Sequence, residues 1–328
     1  MKQKVTIKEV AKHAGVSAST VSRVVSNKGK ISKKTTDRVF ESIRILGYVP
    51  NYTARSLAKS NTDTIAVVVD RSPKSLNNSY FTDVLQAIAK ELNLYSKELL
   101  LIFNEENVDE RDRIRSLVES NRIDGVIKLS VKENDLSVDY LSENDIPAVV
   151  IGNPEKKSKI LWVDNDNEQA MYEVVHSLLN KNKKKLCFIG GPNKFIVTRD
   201  RLRGFKKAHE DFGISVRKSD IYQMEFFEED AYKNAEDILN KDYDAIVCTD
   251  DSIALGIQKK ALSLGKDICI TGFNNSREVQ FSANPFPTVD ISIDKLGRWA
   301  VKLLIAKING DKTVTNKIIK TRYIELRE

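Results

Sequence analysis

The chain has 328 residues and a formal net charge of +7, which is long enough for more than one domain because single hydrophobic cores stop growing near ~250–300 residues. No apolar run reaches the ~20 residues of a membrane span, and the first residues lack the apolar core of a signal peptide, so we expect a cytoplasmic protein with no membrane partner. Cys187, Cys248 and Cys269 lie singly in apolar runs, which indicates buried thiols and excludes a disulfide framework or a zinc motif. No cofactor or metal is expected.

The positive charge is concentrated at the start of the chain. Residues 1–60 hold 13 Lys and Arg against 3 Asp and Glu, whereas the remaining residues hold 40 against 43. A basic head on a nearly neutral body is typical of proteins that bind nucleic acid phosphates, since each contact releases counterions. A solvated basic arm is the alternative that charge alone leaves open.

Capping signals predict two successive helices in the head. The segment Thr6-Ile-Lys-Glu9 is a capping box, and Gly15 provides the left-handed residue that ends a helix. Ser17 can cap a second helix, from Ala18 to about Ser26, that turns its valines inward and leaves small, hydroxylated and cationic side chains outside. Such a face suits the DNA major groove, so a helix-turn-helix is predicted, with an ordinary helical hairpin as the alternative.

A third helix and a separate hinge are predicted to follow. The helix runs from a Ser32 cap to Leu46 and ends at Gly47. Pro50 prevents its continuation but suits the first turn of another short helix. In that basic segment Leu57 would either wedge between base steps of the minor groove or pack on the body as a linker residue.

Two stretches of the head carry a family resemblance. They are Val5-Thr-Ile-Lys-Glu-Val-Ala-Lys-His-Ala-Gly-Val-Ser-Ala-Ser-Thr-Val-Ser-Arg-Val-Val25, and Gly47-Tyr-Val-Pro-Asn51 with Ala54-Arg-Ser-Leu-Ala58. They resemble the signature of the lactose/galactose-repressor (LacI/GalR) family of transcriptional repressors. The resemblance implies base reading by Ala18, Ser19 and Arg23, phosphate contacts by Thr20 and Ser22, and intercalation by Leu57. The DNA-binding set that it implies is completed by Thr6, Ser17, Lys30, Tyr48, Asn51 and Ala54.

Beyond the head, short apolar runs alternate with amphipathic stretches. The runs are Ile65–Val69, Glu98–Phe103, Gly125–Leu129, Ala148–Ile151, Lys185–Ile189, Ala245–Cys248 and Ile268–Thr271. This pattern predicts buried parallel strands that alternate with helices in doubly wound sheets. Ligands bind such sheets at the carboxyl ends of the strands.

Polar and aromatic clusters follow several of the predicted strands. They are Asn77–Phe81, Trp162–Asp166, Pro192–Arg203, Asp250–Asp251 and Phe273–Asn275. A single Asp or Asn after a strand is more often a helix cap than a ligand contact. Carboxylates, amides, an arginine and aromatic rings that converge in one cleft are instead typical of a carbohydrate site.

The body is similar to the two-lobed, sugar-binding core of the same family. The expected fold is therefore an N-terminal all-α helix-turn-helix domain plus an α/β periplasmic-binding-protein-like core of two doubly wound lobes. The expected domains are residues 1–47 for the helix-turn-helix, 48–62 for the hinge and 63–328 for the effector-binding and dimerisation core. Within the core, the N-lobe is expected at about 63–162 plus 292–322, and the C-lobe at about 163–291 plus 323–328.

The resemblance also implies the residues of an effector site. The segment Arg199-Asp-Arg-Leu-Arg-Gly-Phe205 resembles the family's effector-binding arginine motif, which makes Arg201 the ligand contact. Residues 249–256 and 271–275 resemble other pocket loops, and Trp162 stands where relatives have a pocket aromatic. The implied effector-binding set is Tyr80, Phe81, Trp162, Arg199, Arg201, Asp250, Phe273 and Asn274.

Within the family, residues 162–167, 188–202 and 289–298 resemble the maltose-operon repressors of Gram-positive bacteria. The expectation is a nucleoid-associated homodimer that binds pseudo-palindromic operator DNA and is released by a maltose-type sugar. The same scaffold responding to a purine or to a phosphocarrier protein corepressor is an alternative. A sugar-modifying α/β enzyme is a further alternative, but the chain has neither a P-loop nor a GxGxxG turn, and its three histidines suggest no base–nucleophile set, so no enzyme is expected.

Overall fold

This computed structural model of the protein describes residues 5–25, 30–48, 61–69, 73–103, 109–154 and 158–325. The chain divides into two compact units, residues 1–62 and 63–328. Residues 49–60 of the hinge predicted at 48–62 lie outside the described part of the chain. None of the helices within that part is long and apolar enough to cross a membrane.

The head consists of three short helices, α1 (Ile7–Ala14), α2 (Ala18–Val25) and α3 (Lys33–Leu46). The predicted capping box is present: the Glu9 amide donates to the Thr6 hydroxyl, and the Thr6 amide donates to the Glu9 carboxylate at 2.7 Å. Gly15 and Gly47 end α1 and α3 with φ values of 60° and 63°, as the capping signals predict. The helices bury a small valine-rich core that holds the outer face of α2 in place.

The elements of the body follow in chain order. They are β1 (Thr64–Val69), a 3-10 helix (Pro73–Asn77), α4 (Ser79–Leu94), β2 (Glu98–Phe103), α5 (Glu110–Glu119), β3 (Gly125–Lys128), α6 (Leu136–Glu143), β4 (Ala148–Ile151), β5 (Leu161–Asn165), α7 (Asn167–Asn180), β6 (Leu186–Gly190), α8 (Ile196–Asp211), a 3-10 helix (Lys218–Asp220), β7 (Ile221–Gln223), α9 (Glu228–Asn234), α10 (Glu236–Leu239), β8 (Ala245–Cys248), α11 (Asp251–Ser263), β9 (Cys269–Thr271), α12 (Arg277–Gln280), β10 (Thr288–Asp290), α13 (Ile293–Ile308), β11 (Lys317–Ile319) and β12 (Arg322–Ile324).

The strands of the body form two parallel sheets and a small antiparallel ribbon. The N-lobe sheet has the order β11-β5-β4-β3-β1-β2, and the C-lobe sheet has the order β7-β6-β8-β9. Strands β10 and β12 pair antiparallel. The seven apolar runs correspond to β1, β2, β3, β4, β6, β8 and β9, which confirms the predicted doubly wound architecture.

The chain passes between the lobes three times, after β5, before α13 and between β11 and β12. The first crossover lies slightly later than expected, because β5 continues to Asn165 and all five of its residues belong to the strand that pairs in the N-lobe sheet. Each crossover therefore follows the carboxyl end of a strand. This arrangement brings the carboxyl edges of both sheets to a shared cleft.

Candidate ligand cleft and nucleic-acid interface

A cleft of about 710 Å³, including its open mouth, lies between the carboxyl edges of the two sheets. Five of the eight predicted effector-binding residues line it: Tyr80, Phe81, Arg201, Asp250 and Asn274. Within the described part of the chain, no group of His, Cys, Asp or Glu side chains is placed to hold a metal ion.

Arg201 is the central cation of the cleft. It projects from the second turn of α8, donates from Nε to Asn167 Oδ1 at 3.0 Å and donates from Nη1 to the Thr249 carbonyl. Burial lowers the pKa of Arg201 to about 10, while the nearby Asp250 and Asp164 oppose this shift. The guanidinium therefore remains charged at neutral pH, in a fixed orientation that suits hydroxyl oxygens.

Asp250 is the acceptor on the C-lobe side. Its Oδ1 accepts from the Ser252 amide at 2.8 Å, which caps α11, and its Oδ2 accepts from Asn274 Nδ2 at 2.9 Å. Asn274 has a φ of 115°, a left-handed conformation that is uncommon for residues other than glycine. Burial raises the pKa of Asp250, although its hydrogen bonds and Arg201 favour the charged form.

Asn78 connects the two lobes across the cleft. Its side-chain oxygen accepts from the Tyr80 amide at 2.9 Å and so caps α4, while its Nδ2 donates to Asp250 Oδ1 and to the Phe226 carbonyl, each at 3.1 Å. The two donated bonds use both N–H groups of this buried amide. A bound ligand hydroxyl in this position would have to share or replace them.

Asp164 and Asn167 form a second polar wall, opposite Asp250. Asp164 Oδ1 accepts from Asn167 Nδ2 at 2.9 Å, and its Oδ2 accepts from the Asn153 amide at 2.8 Å. Because Asn167 also accepts from Arg201, the carboxylate and the guanidinium are joined through one amide. Burial raises the pKa of Asp164 to about 7.

The remaining surface of the cleft is largely apolar. Its apolar lining is Tyr80, Phe81, Leu129, Val131, Ile151, Phe195, Ile196, Val197, Phe226, Ile291 and Leu296. Ser130 also lines it, and its buried hydroxyl has no hydrogen-bond partner in the described part of the chain. A sugar presents C–H groups, which pack on apolar surface, and hydroxyl groups, which need hydrogen-bond donors and acceptors in fixed positions. The cleft offers both kinds of surface.

Three predicted effector-binding residues do not line the cleft. Trp162 is the second residue of β5, two residues before Asp164 and so on the same face of the N-lobe sheet, where it packs with the cluster around Val68 and Val150 and does not reach the cleft. Arg199 points instead toward Glu133, with 2.8 Å between Nη1 and Oε1. Phe273 is fully buried beneath Arg201. The geometry of the cleft therefore gives no support to a direct ligand contact by any of the three.

Sequence reasoning did not select Asn78, Ser130, Asp164, Asn165 or Asn167 individually. The signal was present for Asn78, Asp164 and Asn165, which fall within clusters that follow predicted strands. Asn167 follows its cluster directly and begins α7. Ser130 had no signal, because a lone serine after a strand is common in turns.

In the head, the predicted DNA-reading residues of α2 are placed on its outer side. Ser19, Ser22 and Arg23 are exposed, whereas Ala18 and Thr20 are half-buried. Ser17 Oγ lies 2.8 Å from both Ser19 Oγ and Thr20 Oγ1. Thr6 and Lys30 are exposed, and Tyr48 packs against the core of the head. Asn51, Ala54 and Leu57 lie outside the described residues.

Each of the two compact units of the chain matches a known protein family. Residues 6–51 match the family described as bacterial regulatory proteins, lacI family, and residues 62–327 match periplasmic binding proteins and sugar binding domain of LacI family. The HTH-type transcriptional regulator MalR of Streptococcus pneumoniae is 34% identical over 324 residues, which cover 98% of this chain and 97% of that protein. Catabolite control protein A of Priestia megaterium is 28% identical, over 99% of this chain and 98% of that protein.

Solved structures match the fold over nearly the whole chain. A complex of the transcriptional regulator CelR with cellobiose matches with a TM-score of 0.74 at 24% identity, over 98% of both chains. The lac repressor dimer bound to operator and the anti-inducer ONPF matches with a TM-score of 0.87 at 21% identity, again over 98% of both chains. These likenesses show the fold of the helical head and of the two-lobed body.

Proposed function

Because the chain belongs to the LacI family of bacterial transcriptional regulators, we propose that it represses genes of maltose or maltodextrin utilisation and leaves its operator when a sugar binds in the cleft. The observation that carries the proposal is the convergence of Arg201, Asp250 and Asn274 on one apolar-walled cleft. The names of the relatives support it further, since regulators named MalR match the full chain. The CelR structure is a complex with cellobiose, a disaccharide.

The proposed sugar contacts follow from the geometry of the cleft. Arg201 donates to ring or hydroxyl oxygens, and the carboxylates of Asp250 and Asp164 accept from sugar hydroxyls on opposite walls. Tyr80 and Phe81 meet edge to face, with ring centroids 5.2 Å apart, and cover the C–H groups of the sugar. A ligand that bridges the two walls binds the closed arrangement of the lobes better than an open one.

DNA binding is assigned to the head. In this proposal α2, whose Ser19, Ser22 and Arg23 are exposed, enters the major groove. There Ala18, Ser19 and Arg23 read bases, and the hydroxyls of Thr6, Ser17, Thr20 and Ser22 contact phosphates. Lys30 and Tyr48 extend the contact along the sugar–phosphate backbone of the DNA. Residues 48–62, with Asn51, Ala54 and Leu57, form the hinge in this proposal, and a homodimer places two heads on the half-sites of a pseudo-palindrome.

Release from DNA requires that the sugar bind the DNA-incompetent arrangement more tightly than the DNA-competent one. Coupling free energies of this kind are typically ~1–3 kcal/mol, which is about 5- to 150-fold in affinity. The same linkage makes operator DNA weaken sugar binding by the same factor. This reciprocity separates a true effector from a sugar that binds without consequence.

The decisive experiment titrates a labelled operator with the full chain in the presence and absence of maltose and maltotriose. A parallel calorimetric panel contains these sugars, cellobiose, glucose, hypoxanthine and a phosphorylated phosphocarrier protein. We expect an α-glucoside to bind and to weaken operator affinity. Binding of the purine or the phosphocarrier protein alone would establish one of the alternative effectors, and operator affinity that no α-glucoside changes would contradict the proposal.

A further inference from the structure

A short contact joins the two lobes beside the cleft. Residues 131–133 follow β3 in the N-lobe, and residues 194–196 lead into α8 in the C-lobe, with Ile196 as the first residue of the helix. The Ile196 amide donates to the Val131 carbonyl at 3.1 Å, and the Glu133 amide donates to the Lys194 carbonyl at 3.0 Å. Between these bonds, Lys132 and Phe195 face each other as an antiparallel bridge. We name this pair of segments the clasp.

A charged pair reinforces the clasp from outside. Glu133 Oε1 lies 2.8 Å from Arg199 Nη1, and the two side chains are 46% and 35% exposed. Glu133 belongs to the N-lobe segment, and Arg199 lies in the first turn of α8, one turn beyond the C-lobe segment. Water therefore reaches the ion pair, while the backbone bonds between the segments lie next to it.

The clasp is part of the wall of the cleft. Val131, Phe195 and Ile196 contribute to the lining, whereas Glu133 and Lys194 are exposed. The residues that form the lining and the residues that join the lobes are thus neighbours in the same two segments. If the clasp opens, two walls of the cleft separate.

The N-lobe half of the clasp is anchored from beneath. Lys128, the last residue of β3, is fully buried and contacts the carboxylates of Glu110 and Asp135, the latter at 3.3 Å. Asp135 Oδ2 also accepts from the Lys132 amide at 3.2 Å. Losing one member of a buried ionic group is costly because the remaining charge is left uncompensated. The loop that carries Glu133 is therefore held in place on both sides.

We propose that Glu133 and Arg199 are positioning residues for the sugar site, which hold the clasp closed over the ligand and slow its release. The proposal rests on the proposed function, since it concerns the sugar that the cleft binds. Neither residue touches the ligand in this scheme. Their contribution appears in the dissociation rate, because the ion pair forms between lobes that must separate before the ligand leaves.

The first test measures sugar release by stopped flow with three full-length variants, Glu133→Gln, Arg199→Gln and the charge exchange Glu133→Arg with Arg199→Glu. The probe is maltose or maltotriose, whichever binds the parent protein. Each single variant should release the sugar about 2- to 5-fold faster, the range expected for a partly exposed ion pair. The charge exchange should return release to within about 2-fold of the parent, which a merely structural lesion would not do.

Arg203→Gln is the matched control. Arg203 lies one turn further along α8 and pairs with Glu168 and Asp200 of its own lobe, so its loss should leave sugar release unchanged. Raising the salt concentration should accelerate release from the parent more than from the single variants, because salt screens the exposed pair.

The second test needs no sugar. In the free protein, hydrogen exchange at the amides of Glu133 and Ile196 should be slowed, and Glu133→Gln should accelerate it several-fold. The Gly191 amide, which donates to Thr249 Oγ1 within the C-lobe, should not change. If Glu133→Gln alters neither hydrogen exchange at both clasp amides nor sugar release, the clasp proposal is overturned. If the parent protein binds no sugar, the proposed function is overturned, and hydrogen exchange alone then tests the clasp.

Discussion

The guanidinium carbon of Arg201 lies 3.5 Å from the centroid of the Phe273 ring. The ring is fully buried, so it supports the cation from beneath while the other face of the guanidinium is turned toward the cleft. Stacking of this kind favours arginine over lysine, because the guanidinium is planar and its donors have a fixed geometry. Phe273, expected as a ligand contact, therefore belongs to the site as a support.

We predict that Arg201→Lys weakens sugar binding by at least about 10-fold, which corresponds to about 1.4 kcal/mol. The ammonium retains the charge but cannot donate to Asn167 and to the Thr249 carbonyl in the same geometry. Calorimetric titration of the sugar measures the effect, and Arg203→Lys on the exposed side of the same helix is the control. Unchanged sugar affinity in Arg201→Lys would show that sugar binding depends on the positive charge and not on the geometry of the guanidinium.

The position of each predicted site residue along its strand or helix decides whether it lines the cleft. Asp250 and Asn274 line the cleft because they follow the ends of β8 and β9 by two and three residues, which places them at the carboxyl edge of the sheet. Trp162 does not line the cleft, and its strand is not predicted because the run Leu161–Asn165 contains Asp164 and Asn165 and so lacks a continuous apolar signal. Because the strand itself is not predicted, nothing in the sequence shows that Trp162 lies two residues before Asp164, short of the carboxyl edge of the sheet.

The fold was predicted where burial alone decides the structure. The seven apolar runs are strands that lie between layers of helices, all largely buried except the half-buried edge strand β2, and their composition reports that burial. By contrast, β7, β10, β11 and β12 are three residues long and exist because of the strands they pair with. The clasp was missed for the same reason, since contacts between segments more than 60 residues apart leave no local pattern.

The stability of the body should fall as the pH rises from about 4 to 7. Burial raises the pKa of Asp251 from 3.8 to about 7, so the folded protein binds more protons than the unfolded chain in this interval. Stability is then lost with rising pH, by up to about 1.4 kcal/mol per pH unit for each such carboxyl. The pKa of Asp164 is raised to a similar value and adds a second contribution of the same sign.

Asp251→Asn should make the stability of the protein less dependent on pH. The asparagine oxygen can still accept from the Ser276 amide, and its Nδ2 can donate to Thr288 Oγ1, so the buried contacts of the carboxyl are largely retained. Urea unfolding at pH 5 and pH 7.5 measures the difference in free energy for parent and variant. Parallel changes in the two proteins would contradict the assignment of the effect to Asp251.

Arg23 and Lys30 should differ in how they affect DNA binding. If Arg23 reads a base, Arg23→Gln should weaken binding to the operator by about 10- to 100-fold, with little effect on unrelated DNA. If Lys30 contacts a phosphate, Lys30→Gln should weaken both complexes equally and reduce the slope of affinity against salt by about one ion. Fluorescence anisotropy with both DNAs at several salt concentrations distinguishes these outcomes. Equal losses on both DNAs for Arg23→Gln would place Arg23 at the backbone.

Gly204 allows the close contact of helices α7 and α8 that positions Arg201. A methyl group at this position would lie 2.1 Å from the Glu168 carbonyl oxygen, which belongs to the backbone of α7 and cannot rotate away. Gly204→Ala should therefore separate the helices and lower the free energy of unfolding by about 1–3 kcal/mol.

The same variant should also weaken sugar binding. The separation displaces Arg201, one turn earlier on α8, from Asn167 at the start of α7, and so disturbs the bond that joins the guanidinium to Asp164. Urea unfolding and sugar titration measure the two effects together, and Lys206→Ala on the exposed face of α8 should change stability by less than about 0.5 kcal/mol. A Gly204→Ala protein that is destabilised but binds sugar normally would show that the contact of α7 with α8 supports the fold without setting the position of Arg201.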